Sequence, residues 1–180
     1  MEWIAEPEIS RSYSGDTYPL EYKMSAGELR KYFVDFPQFR PKTGKSSDPG
    51  VRDGMCLAAR QHCFIDVFGN VYPCLNFKSA ADVNEARGDH AGAKMGNVLE
   101  SPFESIWNSR IAKTIRAADR SSFAICGGCD AGGSCHGCMA LNYEQHGELF
   151  RPAAIVCGLT QAAWHEGNPE FVPAGLKPAP

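Results

Sequence analysis

Apolar residues recur at helical spacing in two stretches and at strand spacing in one, and those three signals organise the chain. Ser25-Ala26-Gly27-Glu28 has capping-box spacing, and Leu29, Tyr32, Phe33 and Phe36 follow at helical intervals, which predicts a short amphipathic helix near 26–34 that Pro37 ends. Residues 41–54 turn to Pro, Lys, Thr, Gly, Ser and Asp and read as a loop or linker, the first boundary. Cys63 to Cys74 holds two short β-prone runs around Gly69-Asn70. A hairpin there draws Cys63 toward Cys74 across the ten residues between them. Residues 79–94, rich in Ala, Asp, Gly and Asn, read as a long surface loop closed by Met95-Gly96-Asn97-Val98. Ser101-Pro102-Phe103-Glu104 sets Ser at a cap, Pro at the first helical position and Glu three residues on, predicting a helix to about Arg120. Phe103, Ile106, Trp107, Ile111, Ile115 and Ala118 make its apolar stripe, read as core packing, with Arg110, Lys113 and Arg116 toward solvent. A Cys-Gly-rich segment over 126–138 precedes a short helix through Met139 to Glu144, and the Pro-Gly-rich end, 168–180, reads as frayed.

Length and composition narrow the classes. A chain of 180 residues, 43% apolar and 22% charged, is expected to form one domain with an appended segment rather than a disordered polymer. The formal charge is -3 and no basic run is present, so nucleic acid is not an expected partner. No apolar run reaches the roughly 18 residues a membrane span needs, and the N-terminus is acidic, so neither secretion nor insertion is encoded and a cytoplasmic location is expected. In that reducing setting eight cysteines are an unusual complement, and such thiols serve as metal ligands more often than as disulfides.

The cysteines stand at 56, 63, 74, 126, 129, 135, 138 and 157. Cys126-Gly127-Gly128-Cys129, five residues, then Cys135-His136-Gly137-Cys138 puts two CxxC pairs on one Gly-rich segment, where Gly permits the turns that aim successive thiolates at one centre. Zinc accepts four thiolates as readily as an iron-sulfur cluster does, and spacing alone leaves both open. Charge does not separate them, since Zn2+ and an oxidised [4Fe-4S]2+ core each carry -2 with four thiolates.

Gly69-Asn70-Val71-Tyr72-Pro73-Cys74, Gly96-Asn97-Val98 with Ser105-Ile106-Trp107, the Cys126 to Cys138 cluster and Cys157 together resemble the SPASM domain, over about residues 55–160. That is the auxiliary iron-sulfur domain of many radical S-adenosylmethionine enzymes, including peptide maturases and anaerobic sulfatase-maturating enzymes. Twelve residues separate Cys56 from Gly69 and four separate Gly69 from Cys74, as in the family. The chain departs from the pattern in having two residues, not three, between Cys135 and Cys138, and in lacking any CxxxCxxC, the site that cleaves S-adenosylmethionine. The resemblance implies an α+β, cysteine-rich domain with a β-hairpin, short helices and long metal-binding loops. It would occupy 51–165, behind a segment at 1–50 resembling the helical tail of a catalytic barrel, with a flexible tail at 166–180. It further implies two [4Fe-4S] clusters, one on Cys56, Cys63, Cys74 and Cys138, the other on Cys126, Cys129, Cys135 and Cys157. The implied partners are a radical S-adenosylmethionine barrel, missing or separate, a peptide or protein substrate, and an electron donor such as a ferredoxin or flavodoxin. On this reading the chain is not a complete enzyme but the C-terminal part of one. The rival is a zinc-stabilised interaction module with no redox role.

Other polar residues near the cysteines have ordinary explanations. His136 and His62 read as outside the ligand set. Asp66 and Asp130 lack a partner carboxylate for acid-base work. Trp107 reads as core, and Arg60 and Lys78 either offset cluster charge or are plain surface residues.

Overall fold

The computed structural model describes residues 18–22, 24–39, 56–86, 93–123, 125–126, 128–129, 135, 137–158 and 160. The readings made for 41–54, 168–180, His136 and Asp130 lie outside them. The described residues are mixed α+β, with a small three-stranded antiparallel sheet and several helices.

Helix α1 (Ala26–Asp35) begins as the sequence predicts. Glu28 N–H donates to Ser25 Oγ at 3.3 Å and Ser25 N–H to the Glu28 carboxylate at 2.7 Å, a closed capping box. Its buried face, Leu29 and Phe33, packs with Met24 and Tyr32 in a cluster separate from the main core.

The sheet has strand order β1-β2-β3, with β1 (Phe64–Ile65), β2 (Asn70–Tyr72) and β3 (Gly96–Asn97) all antiparallel to their neighbours. Phe64 pairs with Tyr72 and Ile65 with Val71, so the predicted hairpin exists. Its turn is 66–69, one step before the expected Gly-Asn, because Asn70 already pairs with Asn97. Asp66 builds this turn: its carboxylate accepts from the N–H of Phe68 and of Asn70 and from Asn70 Nδ2, each at 2.9 Å. Gly69 sits at φ +81°, and a Cβ there would meet Asn97 Oδ1 at 2.9 Å. Asn97 Nδ2 in turn donates to Phe68 O and Asn70 Oδ1, and its Oδ1 accepts from Leu99 N–H at 2.8 Å. The Gly-Asn pairs at 69–70 and 96–97 therefore interlock across the sheet. Gly96 is required for a further reason, since a Cβ on it would lie 3.0 Å from Ile106.

Of the loop expected over 79–94, residues 79–86 are instead the later part of a helix, α2 (Leu75–Ala86), and 87–92 lie outside the described residues. Phe77, Ala80, Val83 and Asn84 lie buried along one face. That apolar face outweighs the Asp and Asn content. The single helix expected from 103 to 120 is two, α3 (Phe103–Trp107) and α4 (Arg110–Ala117), broken at Asn108-Ser109. The capping expected at Ser101 is not made: α3 starts after Pro102 with no side-chain cap. Arg116, expected toward solvent, folds back. Its guanidinium donates to Ala59 O at 3.0 Å and Trp107 O at 2.8 Å and stacks over the Trp107 ring. Arg60 answers it by donating to Ile115 O and to Ala118 O, at 3.2 and 2.7 Å, at the C-terminal end of α4.

Helix α5 (Met139–His146) appears where predicted, ending at Gly147 with φ +70°. It packs on α2, where buried Asn84 donates to Tyr143 O at 2.8 Å. One core unites these parts: Val71, Tyr72, Phe77, Ile106, Ile115, Phe123, Met139 and Tyr143 are buried together.

Candidate metal centre

All eight cysteines lie among the described residues as free thiols. Cys56, Cys63, Cys74, Cys126 and Cys138 pack against the main core, so its apolar body is the wall on which the thiols stand. Among the described residues no three potential ligands meet closely enough to hold a single metal ion.

The first group is built by the hairpin and the helix after it. Cys74 directly precedes α2, where the N–H groups of a helix's first turn lack partners within the helix. Burial pushes its thiol up, while N–H groups of Phe77 and Asn76 donate to the sulfur and the nearby Cys56 opposes ionisation. Cys56 Sγ accepts from Ala58 N–H at 3.4 Å. The turn between Cys56 and Cys63 is held by Ala59, at φ +54°, whose N–H reaches both His62 O and Pro73 O. Cys63 lies one residue before β1, level with Pro73 by the pairing of Phe64 with Tyr72. Burial alone pushes its thiol up, and it lines a cavity with His62, Phe103 and Trp107. Of the four thiols implied for the first cluster, Cys56 thus acts on Cys74, whereas burial is the one cause at Cys63. Cys138 is the N-cap residue of α5, with its carbonyl accepting from Asn142 N–H.

The second group converges more fully. Cys129 N–H donates to Cys126 O at 3.2 Å, closing the first CxxC as a tight turn. Burial pushes the Cys126 thiol up, and Cys135 and Cys129 add to this, with Arg120 opposing. Cys157 is pushed up to about 11 by burial and then by Cys135, Cys126 and Cys129. The four thiols implied for the second cluster therefore lie within electrostatic reach of one another. Cys157 is placed by Asn142, a buried residue of α5 that accepts from Ala153 N–H and donates to Leu149 O, both at 2.8 Å. Cys157 N–H then bonds Ala153 O in a helical turn at 154–158.

Sequence reasoning missed Asn142 and the role of Asp66. Asn142 carried no signal beyond being polar in an apolar stretch, whereas Asp66, three residues before a Gly, had the spacing of a turn-former. His62 is exposed, and Lys78 pairs with Asp82 beside the Tyr72 ring. Arg60 holds helix carbonyls, which is neither of its expected roles.

The donor chemistry fits a metal centre. Clustered thiols that burial and mutual repulsion hold protonated are the groups a cationic centre deprotonates and binds. Comparison with known proteins agrees. Residues 56–130 match the model of the SPASM family, an iron-sulfur cluster-binding domain, which takes in Cys56, Cys63, Cys74, Cys126 and Cys129. An AdoMet-dependent heme synthase of Methanosarcina barkeri is 28% identical over 96 residues, covering 53% of this chain and 23% of that protein. The match thus spans about a quarter of the length of that curated relative. Together these matches support a SPASM-type iron-sulfur cluster-binding domain over residues 56–130.

Proposed function

We propose that the chain holds two [4Fe-4S] clusters and serves as the auxiliary part of a radical S-adenosylmethionine enzyme that modifies a peptide or protein. The observation that carries this reading is the gathering of Cys126, Cys129 and Cys135 near enough to Cys157 to act on its thiol, with Cys56 acting on Cys74 in the first group. Cys63 and Cys138 complete the first set of ligands. Bound, the clusters supply one-electron chemistry. The chain's residues gather the thiolates, and the N–H groups of Phe77 and Asn76 stabilise the Cys74 thiolate. The core behind them excludes water from one side of each site. The reading calls for a radical S-adenosylmethionine barrel, missing from this sequence or on a separate chain, a peptide or protein substrate, and a ferredoxin or flavodoxin donor. In this reading 51–165 is the iron-sulfur unit and 1–50 leads into it from a barrel.

Anaerobic purification tests it. The protein is expected to be brown, with about eight irons and eight sulfides per chain, two four-iron clusters' worth. Cys157→Ala and Cys74→Ala are each expected to lose about half the iron. Colourless protein carrying zinc, or four irons in the intact chain, overturns the two-cluster reading.

A further inference from the structure

One side chain joins the start of α5 to the turn that carries Cys157. Cys138 O accepts from Asn142 N–H at 3.2 Å in the first turn of α5. The side-chain amide of the same Asn142 accepts from Ala153 N–H and donates to Leu149 O, both at 2.8 Å. Ala153 O in turn accepts from Cys157 N–H at 3.2 Å. An unbroken line of hydrogen bonds therefore runs from Cys138, through Asn142 and Ala153, to Cys157.

Burial gives that line its strength. Asn142 is 1% and Ala153 0% exposed, so water does not stand in for the bond between them, and removing the amide leaves Ala153 N–H and Leu149 O without the partner they have. Two other side chains of α5 hold the same segment. Gln145 Oε1 accepts from Ala154 N–H at 2.8 Å, and His146 Nε2 lies 3.3 Å from Pro152 O. Gln145 is exposed, so water competes for its bond, and it sits a turn beyond the residue whose N–H meets Cys138.

We propose that Asn142 couples the two cluster sites, so that filling one strengthens the other. The inference rests on the proposed assignment of Cys138 to the first cluster and Cys157 to the second. The element with two arrangements is the segment 138–157, ordered or loosened. Metal held by Cys138 fixes the first turn of α5 and with it the Asn142 amide. The segment leading to Cys157 is then ordered in advance, and the second site binds without meeting that entropy cost. By linkage, metal held by Cys157 strengthens the Cys138 end by the same factor. Asn142 is a positioning residue, acting through the backbone of one ligand from each group.

Iron release to a chelator from the anaerobically purified full chain tests this as a double-mutant cycle. Cys74→Ala, which disables the first cluster, is expected to lower about ten-fold the chelator concentration that strips the second. In Asn142→Leu, close in size but without the amide, the same Cys74→Ala is expected to change little, because the link is already cut; in Gln145→Ala the ten-fold drop is expected to persist. An equal drop with and without the Asn142 amide, or no drop at all, overturns the coupling. A second measurement leaves Asn142 in place and so does not depend on the folding of its variant. Hydrogen exchange read by mass spectrometry is expected to quicken over residues 147–157 in Cys74→Ala and over 138–146 in Cys157→Ala. Unchanged exchange in both overturns the proposal. Four irons in the intact chain overturn the two-cluster reading and the coupling together, whereas eight irons with additive effects overturn the coupling alone.

Discussion

Asp66 is the residue whose chemistry the fold uses most economically, as one carboxylate accepts three hydrogen bonds and fixes the hairpin turn. Its burial favours protonation, but the bonds from Asn70 and Phe68, with Lys78 nearby, hold it below the ordinary carboxylate value. A lowered value means that this stabilisation is complete above about pH 4 and is lost as pH falls through the folded-state value. Asp66→Ala is expected to cost about 1–3 kcal/mol at neutral pH, and to flatten the acid limb of a stability-pH curve measured by urea unfolding. A variant curve parallel to the wild type in acid would remove Asp66 from that role. Cys63 belongs to the same scale. Assigned as the last ligand of the first cluster, it leaves no iron open. The electron paramagnetic resonance signal of that cluster in reduced wild-type protein is therefore expected not to move when a thiol or amino acid is added. A shifted signal would show an open iron and take Cys63 out of the ligand set.

Among the elements, the Gly-Asn interlock and the paired arginines hold the cysteine-bearing turns to the core. Gly69→Ala forces a side chain into a left-handed conformation and against Asn97 and Leu99, and a loss of about 2 kcal/mol or more is expected in chemical unfolding. Wild-type stability in that variant would refute the close approach. Arg116→Lys keeps the charge but loses the planar fork that reaches Ala59 O and Trp107 O together. A drop of about 1–2 kcal/mol is expected, with a change in Trp107 emission as the stacked cation leaves. At this scale the sequence was legible at two places: the Ser25-Glu28 box set the start of α1, and the β-prone runs around Gly69-Asn70 marked the hairpin, whereas the similar signal at Ser101 made no cap. It was misread where composition masked period. Helix α2 carries Phe77, Ala80 and Val83 at helical spacing, but its Ala, Asp and Asn content looks like loop. Conversely, the unbroken stripe from Phe103 to Ala118 concealed the break at Asn108-Ser109, since residues on both sides of the break enter the same core. In the candidate site, the grouping of the cysteines is what the family resemblance implies, whereas Asn142, which places Cys157, depends on tertiary contacts with no local pattern.

For the whole molecule, the missing CxxxCxxC dictates what the chain does alone. Reconstituted with iron and sulfide and then reduced, it is expected to release no 5′-deoxyadenosine from S-adenosylmethionine; appreciable turnover would show that another set of cysteines leaves an iron open to that ligand. The proposed division of the cysteines between two clusters would also tie cluster loading to folding, as bound metal contributes its binding energy only once distant segments are in place.

The tie from Asn97 to the hairpin turn has a kinetic consequence. A two-strand ribbon with a four-residue turn ordinarily closes in microseconds, from neighbours in sequence. Here the turn that Asp66 closes locally gains a further bond from a side chain 29 residues downstream, and the chain of α2 must be looped back before that amide reaches Phe68 O. This second fastening is a long-range event that carries the loop-closure entropy of the intervening segment. The hairpin between Cys63 and Cys74 is thus expected to form from its own neighbours and to be locked only when β3 docks.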